Sequence, residues 1–199
     1  MNLAMVDYGT GNLHSLANAL QAGGARVRIE ADPAAATHSD ALVLPGVGSF
    51  GAAAARLASG ADLLREALAS GTPCLAIGLG MHLLFESSEE GEGSGLGLLS
   101  GQVRRLHTRR VPHMGWNDVD PAAADPLLAR GGFIAWYANS HAVEVSEDGP
   151  VIAWTRYDGF RFPAAIRFQN TWGVQFHPEK SGAAGLRFLA GFLAEVPAT

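Results

Sequence analysis

A chain of 199 residues with net charge −5, 48% hydrophobic residues and a single cysteine excludes several classes of protein at once. It is long enough to bury one core and contains no linker, so one domain over residues 1–199 is expected rather than a disordered chain. One cysteine cannot form an internal disulfide, the first residues lack the basic start and long apolar core of a signal peptide, and no apolar run could span a bilayer. A soluble, cytoplasmic protein with no membrane role is expected.

The elements follow in chain order. Leu3 to Val6 is a short apolar strand ending in Asp7-Tyr8-Gly9-Thr10-Gly11-Asn12. Leu13, Leu16, Ala17 and Leu20 then set a helical period, which Gly23-Gly24 stops. Val27 and Ile29 mark a second strand, and Ala41-Leu42-Val43-Leu44 a third, continuously apolar as a strand covered on both faces should be. Pro45-Gly46-Val47-Gly48 breaks it. Helix is expected from about Phe50 to Ala69 with an interruption at Ser59-Gly60, then a strand from Leu75 to Ile77 and a helix from Leu79 to Glu86. Strands alternating with helices at this spacing predict an α/β fold, a mostly parallel sheet with helices on both faces.

The second half changes character. Short strands are predicted over 102–106, 116–119, 133–137, 151–157, 164–168 and 173–176, which reads as an antiparallel extension of the same sheet. A helix over about 182–193 closes the chain. The densest basic cluster, Arg104-Arg105 with Arg109-Arg110, is short and sits in an acidic chain, so it reads as a solvated edge and not a nucleic-acid site.

In open α/β sheets, ligands gather at the carboxyl ends of the parallel strands. Three motifs end strands there. Pro45-Gly46-Val47-Gly48-Ser49-Phe50-Gly51 has glycines that let backbone N–H groups turn inward, as an oxyanion hole requires. Ala76-Ile77-Gly78-Leu79-Gly80-Met81-His82 has the small residues and strand-turn-helix pattern of a nucleophile elbow, with a helix start that would lower a thiol's pKa. Gln175-Phe176-His177-Pro178-Glu179-Lys180-Ser181 offers His177 as a base and Glu179 as a carboxylate to orient its ring.

Together these residues resemble the class I glutamine amidotransferases, whose triad is Cys-His-Glu. More narrowly, Val111-Pro112-His113-Met114-Gly115-Trp116-Asn117, Ser88-Glu89-Glu90-Gly91, Gly95-Leu96-Gly97-Leu98 and His177-Pro178-Glu179-Lys180-Ser181 are similar to the glutaminase subunits of imidazole glycerol phosphate synthases. The segments that would mark the amidotransferases of pyridoxal phosphate or anthranilate synthesis are absent. The resemblance implies a subunit of histidine biosynthesis that hydrolyses glutamine and passes ammonia to a (β/α)8 cyclase partner in a heterodimer, with no cofactor and no metal. It implies that Gly78, His177 and Glu179 occupy the triad positions, and that Gly46, Val47, Gly48, Gly51, Leu79, His82, Ser140 and His141 surround substrate. Met114, Trp116, Asn117 and Lys180 would lie at the partner interface; for Met114 and Trp116 the alternative is core packing.

The sequence departs from that family at the decisive position. Residue 78 is glycine where the cysteine nucleophile belongs, so no covalent glutamyl intermediate can form. Losing such a nucleophile removes on the order of a million-fold in turnover. Cys74 lies four residues upstream, roughly 13 Å along a strand, and Ser49 has nothing to activate it. His82 stands where the family usually has glutamine, and His141 where an aromatic residue is frequent; His82 reads either as a substrate contact or as a helix-face residue, and weakened glutamine binding is the expectation. Two accounts stay open: a glutaminase with one lost step, and a pseudo-glutaminase that only binds a cyclase using free ammonia.

Overall fold

The computed structural model describes residues 1–9, 13–146 and 149–197, so the Thr10-Gly11-Asn12 part of the first motif lies outside the described residues. Four parallel strands open the chain: β1 (Asn2–Val6), β2 (Arg26–Glu30), β3 (Ala41–Leu44) and β4 (Cys74–Ile77). Between them run α1 (Leu13–Ala22), α2 (Pro33–Ala36), α3 (Phe50–Leu57) and α4 (Ala61–Ala69), the last two separated by a 3₁₀ turn at Ala58–Gly60, where the sequence placed an interruption. After the elbow come α5 (Leu79–His82), β5 (Phe85–Ser88), β6 (Leu99–Arg105), β7 (His113–Pro121), β8 (Phe133–Asn139) and β9 (His141–Glu144). The chain continues with β10 (Val151–Tyr157), β11 (Phe160–Phe168), β12 (Thr171–Val174) and α6 (Gly182–Glu195).

The main sheet has the order β2-β1-β3-β4-β12-β11-β10-β7-β8. It is parallel through β12 and antiparallel beyond. Side chains of β1 alternate between the two faces, as strand geometry demands. Leu3 and Met5 join the core under α1 and α6, with Leu16, Leu20, Phe188 and Phe192. Ala4 and Val6 join the core under α3 and α4, with Phe50, Leu57, Leu64 and Leu68. β3 and β4 are buried at every position, which accounts for their unbroken apolar sequence.

Three sequence expectations are corrected. The helix expected over 79–86 is a single turn, Leu79–His82, because Phe85 already pairs with Leu99 as the first residue of β5. The strand at 102–106 does not extend the main sheet: β6 pairs with β5 and β9 in a separate three-stranded sheet. The strand expected at 173–176 spans Thr171–Val174 and joins the two halves of the sheet, parallel to β4 on one side and antiparallel to β11 on the other.

Candidate functional site

Gly78 follows β4 with φ +50° and ψ −109°, a backbone conformation that an L side chain adopts only under strain and glycine adopts freely. Its N–H donates to the Val174 carbonyl at 2.7 Å, and its own carbonyl accepts from the His82 N–H at 3.1 Å, opening α5. The turn is tight: a β-carbon on Gly80 would run into the Leu44 carbonyl oxygen. The elbow backbone is therefore fully formed, with nothing mounted on it.

The loop after β3 approaches from one side. Tyr8 donates its phenolic hydrogen to the Pro45 carbonyl and pins the loop's start. Gly46 then turns its carbonyl, not its N–H, toward the elbow, and that oxygen accepts from the Leu79 N–H at 3.2 Å. It also fills the space beside Gly78, only 2.6 Å from where a β-carbon at 78 would stand. One N–H that could face a substrate oxyanion, that of Leu79, is thus occupied by a protein carbonyl.

From the other side β12 delivers His177. A β-carbon built on Gly46 would meet the His177 ring carbon Cε1 at 3.1 Å, so ring and loop are in contact. His177 Nδ1 lies 3.0 Å from Glu179 Oε1, with both side chains almost wholly buried. The three strand ends converge as the spacing of the motifs required.

Beside them lies a cleft of about 160 Å³ lined by Gly46, Val47, Gly48, Gly78, Leu79, His82, Ser140 and His141, together with Glu90, Ala138, Asn139 and Gln175; His177 and Glu179 are not among its lining residues. Gly51 is not there. It lies in the first turn of α3, its α-carbon facing the Glu92 backbone. Glu90, Ala138, Asn139 and Gln175 are what the sequence reading missed. His82 Nε2 lies 2.8 Å from Gln175 Oε1, which can only accept, so a neutral ring donates there from Nε2 and keeps Nδ1 as a buried acceptor with no partner among the described residues. Burial lowers the His82 pKa to about 4, with the charge of His141 pushing the same way and the Gln175 bond opposing. Glu90 accepts from the Phe50 N–H at 3.3 Å, at the start of α3, where a carboxylate is favoured. Gln175 was legible only as the alternate-residue neighbour of His177, and Glu90 sits in a loop with no periodic signal.

Cys74 is fully buried and burial pushes its thiol pKa up, away from any reactive thiolate. Among the described residues no group of three potential ligands could hold a metal ion. No helix among them is long and apolar enough to cross a membrane.

The candidate partner residues divide. Met114 and Trp116 are 64% and 56% exposed, so core packing is ruled out for both. They share one face of β7 and β8 with Ile134, itself 56% exposed, and with Trp136, which packs edge-on against Trp116. Lys180 is exposed beside them in the turn after His177. Asn117 alternates to the opposite face, where its amide donates to the Arg156 carbonyl at 3.0 Å. Strand β8 is tied to the histidine segment: the His177 N–H donates to the Trp136 carbonyl, and the Trp136 N–H donates to Ser181 Oγ.

An elbow, a glycine loop and a buried His-Glu pair on one sheet edge define an amidotransferase. The family profile of class-I glutamine amidotransferases matches residues 4–196, and the chain belongs to that family. Two solved structures share the fold: a glutamine amidotransferase (TM-score 0.75, 20% identity, covering 96% of this chain and 97% of that one) and PurLQS from Thermotoga maritima (TM-score 0.77, 18% identity, covering 98% and 99%).

Within the family, its relatives are imidazole glycerol phosphate synthase subunits HisH. The Synechococcus elongatus protein is 42% identical over 98% of this chain and 94% of its own length. That of Symbiobacterium thermophilum is 45% identical over 96% and 92%.

Proposed function

We propose that this chain is the amidotransferase subunit of an imidazole glycerol phosphate synthase, working in the cytoplasm in histidine biosynthesis, and that it has lost the covalent step on glutamine. The observation that carries the second half is Gly78: an elbow in its strained backbone form, without a side chain, whose vacant β-position is taken up by the Gly46 carbonyl.

The remaining parts fit the family's chemistry. A thiolate at 78 would attack the glutamine amide carbon, His177 would carry the proton to the departing ammonia, and Glu179 would hold the imidazole in register. The oxyanion would need the Leu79 N–H, now bonded to Gly46, together with an N–H from residues 46–48. Without sulfur the amide has no attacking group, and the buried Cys74 cannot supply one. Ammonia produced in a competent site would enter a (β/α)8 cyclase docked on the exposed face of Met114, Trp116, Trp136 and Ile134. The bonds from Trp136 to His177 and Ser181 support this reading, because docking there bears on the segment that holds the histidine.

The test is glutamate release by the full chain mixed with the cyclase subunit, its nucleotide substrate and glutamine. The chain as it stands releases none above background, while ammonia-driven cyclisation proceeds. Glutamate release by the Gly78 chain would overturn the loss of the step. A second reading, a subunit that only docks, draws on His82 and its bond to Gln175 inside the cleft. If Gly78→Cys still binds the cyclase and releases no glutamate, that second reading is the correct one.

A further inference from the structure

The basic cluster of the sequence does not remain a simple solvated edge. Arg109 is committed to Asp158, bonding it at 2.6 Å. Arg104 reaches Glu89 and Glu144. Arg105 makes no ion pair among the described residues, and it lines a groove of about 530 Å³ between the small sheet (β6, β9) and strands β10 and β11. Opposite it, Arg161 likewise has no carboxylate partner among the described residues; its guanidinium carbon lies over the Trp154 ring, 4.0 Å from the centroid. Phe160 and His107, packed edge to face, complete the wall.

We propose that this groove binds a nucleoside monophosphate. Of the three arginines that line it, Arg104 is paired with Glu144 and with the neighbouring Glu89, which leaves Arg105 and Arg161 as positive charge with no ion pair among the described residues, inside a chain of net charge −5. Guanidinium groups match the paired oxygens of a phosphate, and Arg105 is free to supply that fork. The Trp154–Arg161 stack is a planar platform already assembled, and a base completes it by lying on the outer face of the guanidinium. A bare anion would leave the aromatic wall unused, and a bare ring would leave the arginines unpaired. The volume falls within the range of small-molecule sites, about 300–1,000 Å³. The groove shares no lining residue with the glutamine cleft, so the proposal does not depend on what happens at Gly78.

The experiment titrates the full chain with adenosine monophosphate, adenosine and inorganic phosphate separately, following tryptophan fluorescence and confirming by calorimetry at low salt. Adenosine monophosphate binds saturably, and adenosine or phosphate alone binds at least about tenfold more weakly, since stacking and phosphate contacts each contribute that much. Arg161→Ala and Arg105→Ala each weaken nucleotide binding by about tenfold, while circular dichroism stays unchanged because both side chains are exposed. Hydrogen exchange on the unmodified chain adds a readout that needs no variant: the nucleotide protects residues 101–107 and 151–163. Nucleotide binding no tighter than that of phosphate, insensitivity to both substitutions, or protection elsewhere would overturn the proposal.

Discussion

The carbonyl oxygen of Gly46 sits 2.6 Å from the place where a β-carbon on residue 78 would be. The loop and the elbow have closed over the missing side chain, and the same oxygen holds the Leu79 N–H at 3.2 Å. Putting any side chain at 78 must push this peptide away. Gly78→Ala and Gly78→Cys are therefore both expected to be less stable than the parent, by about 1–3 kcal/mol for the positive φ alone and by more if the loop resists. Urea melts check this; a cysteine form more stable than the parent would refute the strain argument. A crystal structure of the cysteine form should show the Gly46 carbonyl displaced and the Leu79 N–H released.

His82 gives a pH dependence with a definite sign. Its pKa is held near 4 in the fold against 6.5 for the free side chain, so between those values the unfolded chain binds a proton the fold refuses. The stability it contributes is complete above about pH 6.5 and is lost as pH falls toward 4, a few kcal/mol in all. Burial depresses His113 to about 4 as well, and it works in the same window. Unfolding midpoints at pH 7 and pH 4.5 should differ less in His82→Gln than in the parent. Equal differences would show that His82 does not exclude its proton.

Trp116 tests the docking face. It is 56% exposed and packs only edge-on against Trp136, so Trp116→Ala should leave the melting temperature within a degree or two. Loss of a central aromatic anchor costs about 2 kcal/mol or more of binding, a thirtyfold or greater rise in the Kd for the cyclase subunit. Ile134→Ala should act in the same direction. A cyclase affinity untouched by both changes would move the interface elsewhere.

Asp125 anchors the loop after β7. Its carboxylate, 1% exposed, takes Arg167 at 3.1 Å, the Trp172 indole N–H at 3.2 Å and the Leu127 N–H at 2.9 Å. Arg167 also lies over the Trp172 ring. Asp125→Ala strands these donors and should cost about 3 kcal/mol, read as a shift of the urea midpoint at pH 7. Arg167, a third exposed, can turn to water, so its own removal should cost less.

The parallel half of the sheet could be read from its chain because β3 and β4 are continuous apolar runs, as in Ala41–Leu44, and the edge strand β2 shows the alternation of Val27 and Ile29 with charged residues. The strand ends bearing Gly46, Gly78 and His177 followed from the general rule for such sheets. What escaped reading was decided by partners far away in sequence. Phe85 looks helical after Leu83 and Leu84 until Leu99 pairs with it. The direction of Thr171–Val174 depends on its lying against Cys74–Ile77, which no local pattern encodes. Asn117 shares a motif with Trp116, yet alternation along β7 turns it to the other face. Glu90 and Gln175 reach the cleft only because the loop of one and the strand of the other pack there.

The insertion of β12 beside β4 has a consequence for biosynthesis. During translation β4 leaves the ribosome roughly a hundred residues before the segment that pairs with Cys74–Ile77 is made. Until then the edge of β4 away from β3 is an open ladder of uniformly apolar composition, the kind of template that recruits other chains. A nascent chain stalled before residue 171 would carry both an unfinished cleft and an adhesive border.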